Sequence, residues 1–260
     1  MLSFITSSVV LLPPDADTPA SPCNDGLKWR SRMSSSLRFL AEAMRHPLKT
    51  GALWPSSKAL SQVVADQCHV PSGAVIVELG AGTGALTELI LQRLNSQNRF
   101  LVVEINRTHA TFLQGRFPQC KVIHDAAENL EEHLSGARAA CIVSGLPWTN
   151  MFAQAQDQLL KAIVASLAPG GQFVAFSYAH AWCLPSARRF RALLGRRFSR
   201  VEFTPIVWKN LPPAKVLRCW KDRSVARNGA RPDGRNLDLV GCGESEDECE
   251  VNPHAGNSAA

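Results

Sequence analysis

An α/β fold built on seven mostly parallel strands, with helices on both faces and a β-hairpin at the C-terminal edge, is what this sequence predicts. Three observations predict it. Short apolar runs alternate with helical patterns of ten to fifteen residues between about residues 56 and 196, the rhythm of a parallel sheet whose crossovers are helices. One such run, Val75-Ile76-Val77-Glu78-Leu79, passes directly into Gly80-Ala81-Gly82-Thr83-Gly84, a strand that turns tightly into a helix. The last two β runs have no helical pattern between them, so they pair with each other.

Taken in order, Leu37, Leu40, Ala41 and Met44 recur at helical spacing, so 34–46 is expected as an amphipathic helix ended by Pro47. A second helix is expected over 56–68. A strand over 74–79, a helix over 83–95, a strand over 100–105 and a helix over 107–116 follow. Strands over 120–124 and 139–144 precede a helix over 151–167. The Pro-Gly-Gly at 169–171 reads as a turn before a strand over 172–178. A helix over 185–196 and strands near 199–207 and 214–220 close the domain. The doubly covered parallel sheet is Rossmann-like. Residues 1–32, rich in Ser, Pro and Asp, and residues 222–260, rich in Gly, Asn and Glu, read as disordered tails around a domain spanning 33–221. Met33 is a second candidate start.

Composition narrows the function classes. The chain has 260 residues and 45% apolar content, enough for one well-filled core. No apolar run approaches the ~18–20 residues of a membrane span. The short Val9–Leu12 run has no charged region before it, which argues against a secretory signal. None of the eight cysteines forms a C-x-x-C pair, which disfavours zinc and suits a reducing cytoplasm. The acidic tail carries four arginines against eight carboxylates, a net of −4, so residues 1–221 carry +10 against +6 for the whole chain. The body is therefore basic, and an anionic partner, nucleic acid or a membrane surface, is expected unless this is simply a solvated face.

The glycine turn is expected to hold a cofactor. Gly80, Gly82 and Gly84 let the backbone approach a ligand closely, and Glu78 before them suits a positively charged amino group. Glu104, twenty residues beyond Gly84 at the end of a strand, can accept hydrogen bonds from two ribose hydroxyls. Asp125, followed by Ala126, can accept from an adenine amino group. These carboxylates would otherwise be surface charges at strand ends. The third glycine falls one place short of the dinucleotide pattern, and an acid before the turn suits an ammonium better than a pyrophosphate. S-adenosylmethionine is the expected cofactor, with Ser144 completing its site, and the layout is that of class I methyltransferases.

The acceptor is expected at the ends of the next strands. Ser144-Gly145-Leu146-Pro147-Trp148 is similar to the Asn-Leu-Pro-Tyr turn of amino-group methyltransferases, with Gly145 in place of the Asn. Leu146, Pro147 and Trp148 are the expected substrate contacts. The indole either faces a cationic group through its π surface or fills the core. Tyr178, the chain's one tyrosine, is expected beside Trp148, its hydroxyl orienting an amine. His180 is expected to help remove a proton, since a primary amine titrates near ~10.

Phe39-Leu40, Pro47, Gly51-Ala52 and Pro55-Ser56-Ser57 ahead of the turn carry a family likeness, as do Ser144-Gly145-Leu146-Pro147, Phe176-Ser177-Tyr178 and Trp208-Lys209-Asn210-Leu211-Pro212-Pro213-Ala214. Over roughly residues 37–220 the sequence resembles the bacterial soluble phospholipid N-methyltransferases and their ornithine-lipid relatives. Trp148 and Ala181-Trp182-Cys183-Leu184 depart from a typical member. The resemblance implies methylation of an amino-lipid headgroup, phosphatidylethanolamine or ornithine lipid, at the inner face of the cytoplasmic membrane. The 34–46 helix, with Arg38, Arg45 and Lys49 nearby, would then lie on the anionic leaflet or pack on the sheet. The competing expectation is an RNA adenine dimethyltransferase, which would need Asn at 145 and a separate RNA-binding domain. A non-catalytic cofactor-binding fold is the third.

Overall fold

The computed structural model describes residues 57–223. The expected 34–46 helix, residues 1–32 and nearly all of 222–260 lie outside the described residues. Helix α1 (Lys58–Asp66) begins where the Ser57 hydroxyl accepts from the Leu60 amide at 3.3 Å, an N-cap that satisfies one of the helix's open donors. Strand β1 (Val75–Leu79) is buried at all five positions, as a central parallel strand covered on both faces should be. Then follow α2 (Ala85–Leu91), β2 (Arg99–Val103), α3 (Arg107–Arg116) and β3 (Lys121–Ile123). Next come the short α4 (Leu130–Leu134), β4 (Ala139–Ser144), α5 (Ala153–Ser166) and β5 (Leu167–Tyr178). Helix α6 (Pro185–Arg197), β6 (Arg200–Phe203) and β7 (Ala214–Trp220) end the described chain.

The seven strands form one sheet in the order β3-β2-β1-β4-β5-β7-β6. The first five are parallel, and β7 runs antiparallel to both β5 and β6. The closing hairpin therefore sits at the edge as expected, with β7 threaded between β5 and β6. Chain direction across the sheet reverses between β1 and β4. In an open α/β sheet that reversal leaves a crevice beyond the strands' carboxyl ends, where ligands bind.

Two of the differences from the sequence expectation have a glycine at their root. Pro169-Gly170-Gly171 does not end before the strand; it lies within β5, where the register slips between Ala139 and Cys141 of β4. Gly170 at φ 73° and Gly171, where an added Cβ would stand 3.0 Å from the Ala139 carbonyl, let the strand bulge there. Helix α2 starts at Ala85 rather than 83 because Gly84, at φ 82°, is its cap.

The two faces of the sheet are packed differently. On one, apolar residues from α1, α2, α3, β1 and β2, including Leu60, Ile76, Ile90, Phe100 and Leu113, form a continuous cluster. Beyond it Phe173 stacks on Phe198 at 5.8 Å, and Trp148 stacks on Phe190 at 4.4 Å. Burying each such ring contributes roughly 2–3 kcal/mol, so these aromatics tie α6 to β5.

Candidate active site

Glu78 is a carboxylate in the middle of an apolar strand, 1% exposed. Its Oε2 accepts from the Thr87 hydroxyl at 2.7 Å, while Oε1 is buried with no hydrogen-bond partner. Burial pushes its pKa up to about 8; the Thr87 bond works against this and the nearby Glu104 charge adds to it. A carboxylate is costly to place there, and a cationic ligand group beside Oε1 would offset that cost.

Glu104 follows β2 and is fully buried. One oxygen accepts the Gly82 amide at 2.9 Å, and the other accepts the Asn106 amide at 2.8 Å. Glu104 thus clamps the glycine turn onto the start of α3, and each oxygen keeps a second lone pair. Gly82, at φ 56°, has no protein atom within 4 Å of where a Cβ would stand; the turn leaves open space on that side. Gly84 differs. A Cβ there would meet the Phe117 ring at 2.5 Å and Leu113 at 2.7 Å, so this glycine serves helix packing. Gly80 is fitted against the Leu146 side chain, 2.6 Å from its Cβ position.

Asp125, just after β3, turns toward its own downstream segment. Its Oδ1 accepts the Ala126 amide at 2.7 Å and the Asn129 side chain at 3.0 Å, and Oδ2 pairs with His133 at 2.7 Å. Ala126 is buried. Glu128 lies on the adjoining turn, its pKa raised to about 7 by burial and by Asp125. The residues present fit S-adenosylmethionine: an orphaned carboxylate oxygen suits its positive charge, the open turn at Gly82 leaves room, and Glu104 retains acceptor capacity. Glu78, Gly80, Gly82, Glu104 and Asp125 are the residues that could hold it.

Ser144 is placed otherwise than the sequence reading had it, and Trp148 takes the core position, the second of its two expected places. The Ser144 hydroxyl accepts the Trp148 indole N–H at 3.0 Å and the Leu146 amide at 3.3 Å, so it braces the turn rather than facing a ligand. Trp148 is 1% exposed, its ring stacked on Phe190 and edge-on to Phe173 at 5.9 Å. The indole face assigned to a cation is covered by another ring, and Trp148 is core.

Gly145 has a structural reason. A Cβ at this position would lie 2.6 Å from the Gly80 carbonyl oxygen, so the conformation has no room for the Asn that similar turns carry. Leu146, Pro147, Trp148, Phe176, Tyr178 and His180 nevertheless border one cavity of about 110 Å³, with Thr149, Asn150, Ser177, Leu184 and Pro212. Tyr178 and His180 stack at 5.7 Å, and burial raises the Tyr178 pKa, keeping its hydroxyl protonated. Sequence reasoning missed Thr149, Asn150 and Ser177: each is a common polar residue, and only the folded turn gathers them.

Residues 76–171 match the family model described as a methyltransferase domain. Over 193 residues the chain is 29% identical to an ornithine lipid N-methyltransferase from Singulisphaera acidiphila, covering 72% of this chain and 96% of the relative. A solved SAM-dependent O-methyltransferase from Thermotoga maritima superposes with a TM-score of 0.52 at 13% identity, over 75% of this chain and 73% of that one. The CurJ carbon methyltransferase gives 0.50 at 18% identity, over 62% and 54%, so the chain spans about half of that structure. These two likenesses concern the fold. The chain is an S-adenosylmethionine-dependent methyltransferase with the class I fold.

Proposed function

We propose that this methyltransferase transfers methyl groups to the amino headgroup of a membrane lipid, phosphatidylethanolamine or an ornithine lipid. The observation that carries the reading is the character of the cavity beyond β4 and β5. Among the described residues no carboxylate lines it, so an ammonium gains no counter-charge from them and a neutral amine is the form admitted. Leu184 on its wall and Leu211, next to Pro212 on its wall, are exposed apolar side chains. Trp208 is 73% exposed in the same loop as Leu211, with Lys209 between them. An exposed apolar rim carrying Lys209 suits an anionic lipid surface, where each Lys or Arg contributes about 1 kcal/mol. The relative's name points the same way. The absence of room at Gly145 argues against the RNA adenine reading, whose turn needs Asn there.

When bound, S-adenosylmethionine supplies a methyl group on a positive sulfur, transferred in line as the N–C bond forms and the C–S pair stays on sulfur. The chain's residues supply position and dryness. Glu78 and Glu104 would hold the donor's charged and ribose parts. The Tyr178 hydroxyl would orient the amine, and exposed His180 would pass its proton outward. Among the described residues no helix is long and apolar enough to cross a membrane, and contact with the bilayer would be peripheral.

The test is expression in a bacterium lacking methylated lipids, fed with methyl-labelled methionine, followed by thin-layer separation of the lipid extract. Label in mono-, di- or trimethylated amino lipid is the expected result, and its mobility identifies the headgroup. Label confined to RNA would overturn the reading.

A further inference from the structure

Among the described residues that line the acceptor cavity, Ser177 has a buried hydroxyl with no hydrogen-bond partner. The side chain is 5% exposed. It sits near the end of β5, opposite Lys215 of β7 and between Phe176 and Tyr178 in sequence. Its situation is the reverse of Ser144, whose hydroxyl is engaged by the Trp148 indole N–H. A buried hydroxyl left unpaired weakens a fold. It persists without that cost where a ligand completes it.

We infer that Ser177 is a positioning residue for the acceptor nitrogen, its Oγ accepting an N–H of the incoming amine. The inference rests on the amino-lipid reading above. The lone pair of the nitrogen must point at the methyl donor, so its N–H groups are what the protein can hold. A hydroxyl oxygen has two acceptor lone pairs, and among the described residues no carboxylate competes with it on this wall. Thr149 and Asn150 are the other polar side chains on the turn side of the cavity, and their mutual contact is long, 3.4 Å.

This arrangement has a consequence peculiar to stepwise methylation. A neutral primary amine carries two N–H groups, its monomethyl product one and its dimethyl product none. The Ser177 bond therefore serves the first and second transfers and has nothing to hold in the third. Specificity for unmethylated acceptor follows from counting donors.

Ser177→Ala separates this from a structural role. The full-length wild type and variant are compared on vesicles of the lipid labelled in the previous experiment and of its N,N-dimethyl derivative, with thermal unfolding and cofactor binding measured alongside. The expected loss is about 10- to 100-fold in kcat/KM on the unmethylated lipid, as for a misplaced reacting group, and under about 3-fold on the dimethyl lipid. If the dimethyl lipid is not turned over, its affinity as an inhibitor is read instead and stays unchanged. The unfolding temperature should hold or rise, because an unpaired hydroxyl has been removed. Equal losses on both lipids, or none on the unmethylated one, would overturn the inference while leaving the amino-lipid reading intact. A wild type that transfers label to no amino lipid removes that reading and the inference with it.

Discussion

Around the ends of β1, β2 and β3 the polar groups are already held by the chain, Glu78 Oε1 excepted, whereas around the ends of β4 and β5 they are consumed by the core or left open. Glu104 binds two backbone amides, and Asp125 binds an amide, an amide side chain and an imidazole. The donor side is thus set before any ligand arrives, the arrangement that avoids reorganisation during binding. The acceptor side has Ser144 committed to Trp148, Trp148 committed to Phe190, and Ser177 unpartnered. On the function proposed above, the difference teaches that one half would meet its ligand with mostly fixed groups, while the other is a shaped apolar space that would take its remaining bonds from what enters.

Three substitutions probe that contrast. Trp148→Ala should have the largest effect, lowering stability by about 3–5 kcal/mol through the lost ring and the cavity left behind. Chemical denaturation measures it. A small stability loss coupled to a raised KM for the acceptor would instead make Trp148 part of the substrate surface and break the contrast. Glu104→Ala should weaken cofactor binding about 100-fold, or about 2.7 kcal/mol, while far-UV circular dichroism shows the fold retained. Calorimetric titration with unchanged affinity would mean the ribose is held elsewhere.

Glu78→Gln sharpens the comparison through pH. The Glu78 carboxyl titrates near 4.5 when unfolded and near 8 in the fold. The unfolded chain therefore releases this proton first. The contribution to stability is complete below pH 4.5 and is lost as pH rises to about 8. Denaturant midpoints of the wild type should fall across that window, and those of Glu78→Gln should fall less. Glu128, raised to about 7, keeps a slope of the same sign in the variant. Identical slopes in the two proteins would show that Glu78 ionises normally.

Much of this architecture can be read from local pattern. All seven strands, the edge hairpin and the glycine turn follow from apolar runs and from three glycines that the backbone requires at positive φ. Helix α4 escaped because five residues, Leu-Glu-Glu-His-Leu, carry too little periodicity. Trp148 was open to a ligand reading because its burial depends on Phe190 and Phe173, partners on other elements that no local spacing reveals. Gly145 looked like a lost side chain; the Gly80 carbonyl beside it makes it a steric necessity. Ser177 was silent because a serine within an apolar strand gains meaning only from the cavity on which it opens.

The contact between Asn210 and Ser57 ties the start of the described chain to the loop before β7. The buried Asn210 side chain accepts the Ser57 amide at 2.9 Å across 153 residues of sequence and donates to the Pro212 carbonyl at 2.5 Å. Closing so long a loop is entropically costly until everything between has condensed. During synthesis the glycine turn, Glu104 and Asp125 all emerge well before Asn210. The donor side can therefore assemble on a nascent chain, whereas the Pro212 wall of the acceptor cavity is secured only once the last strands arrive.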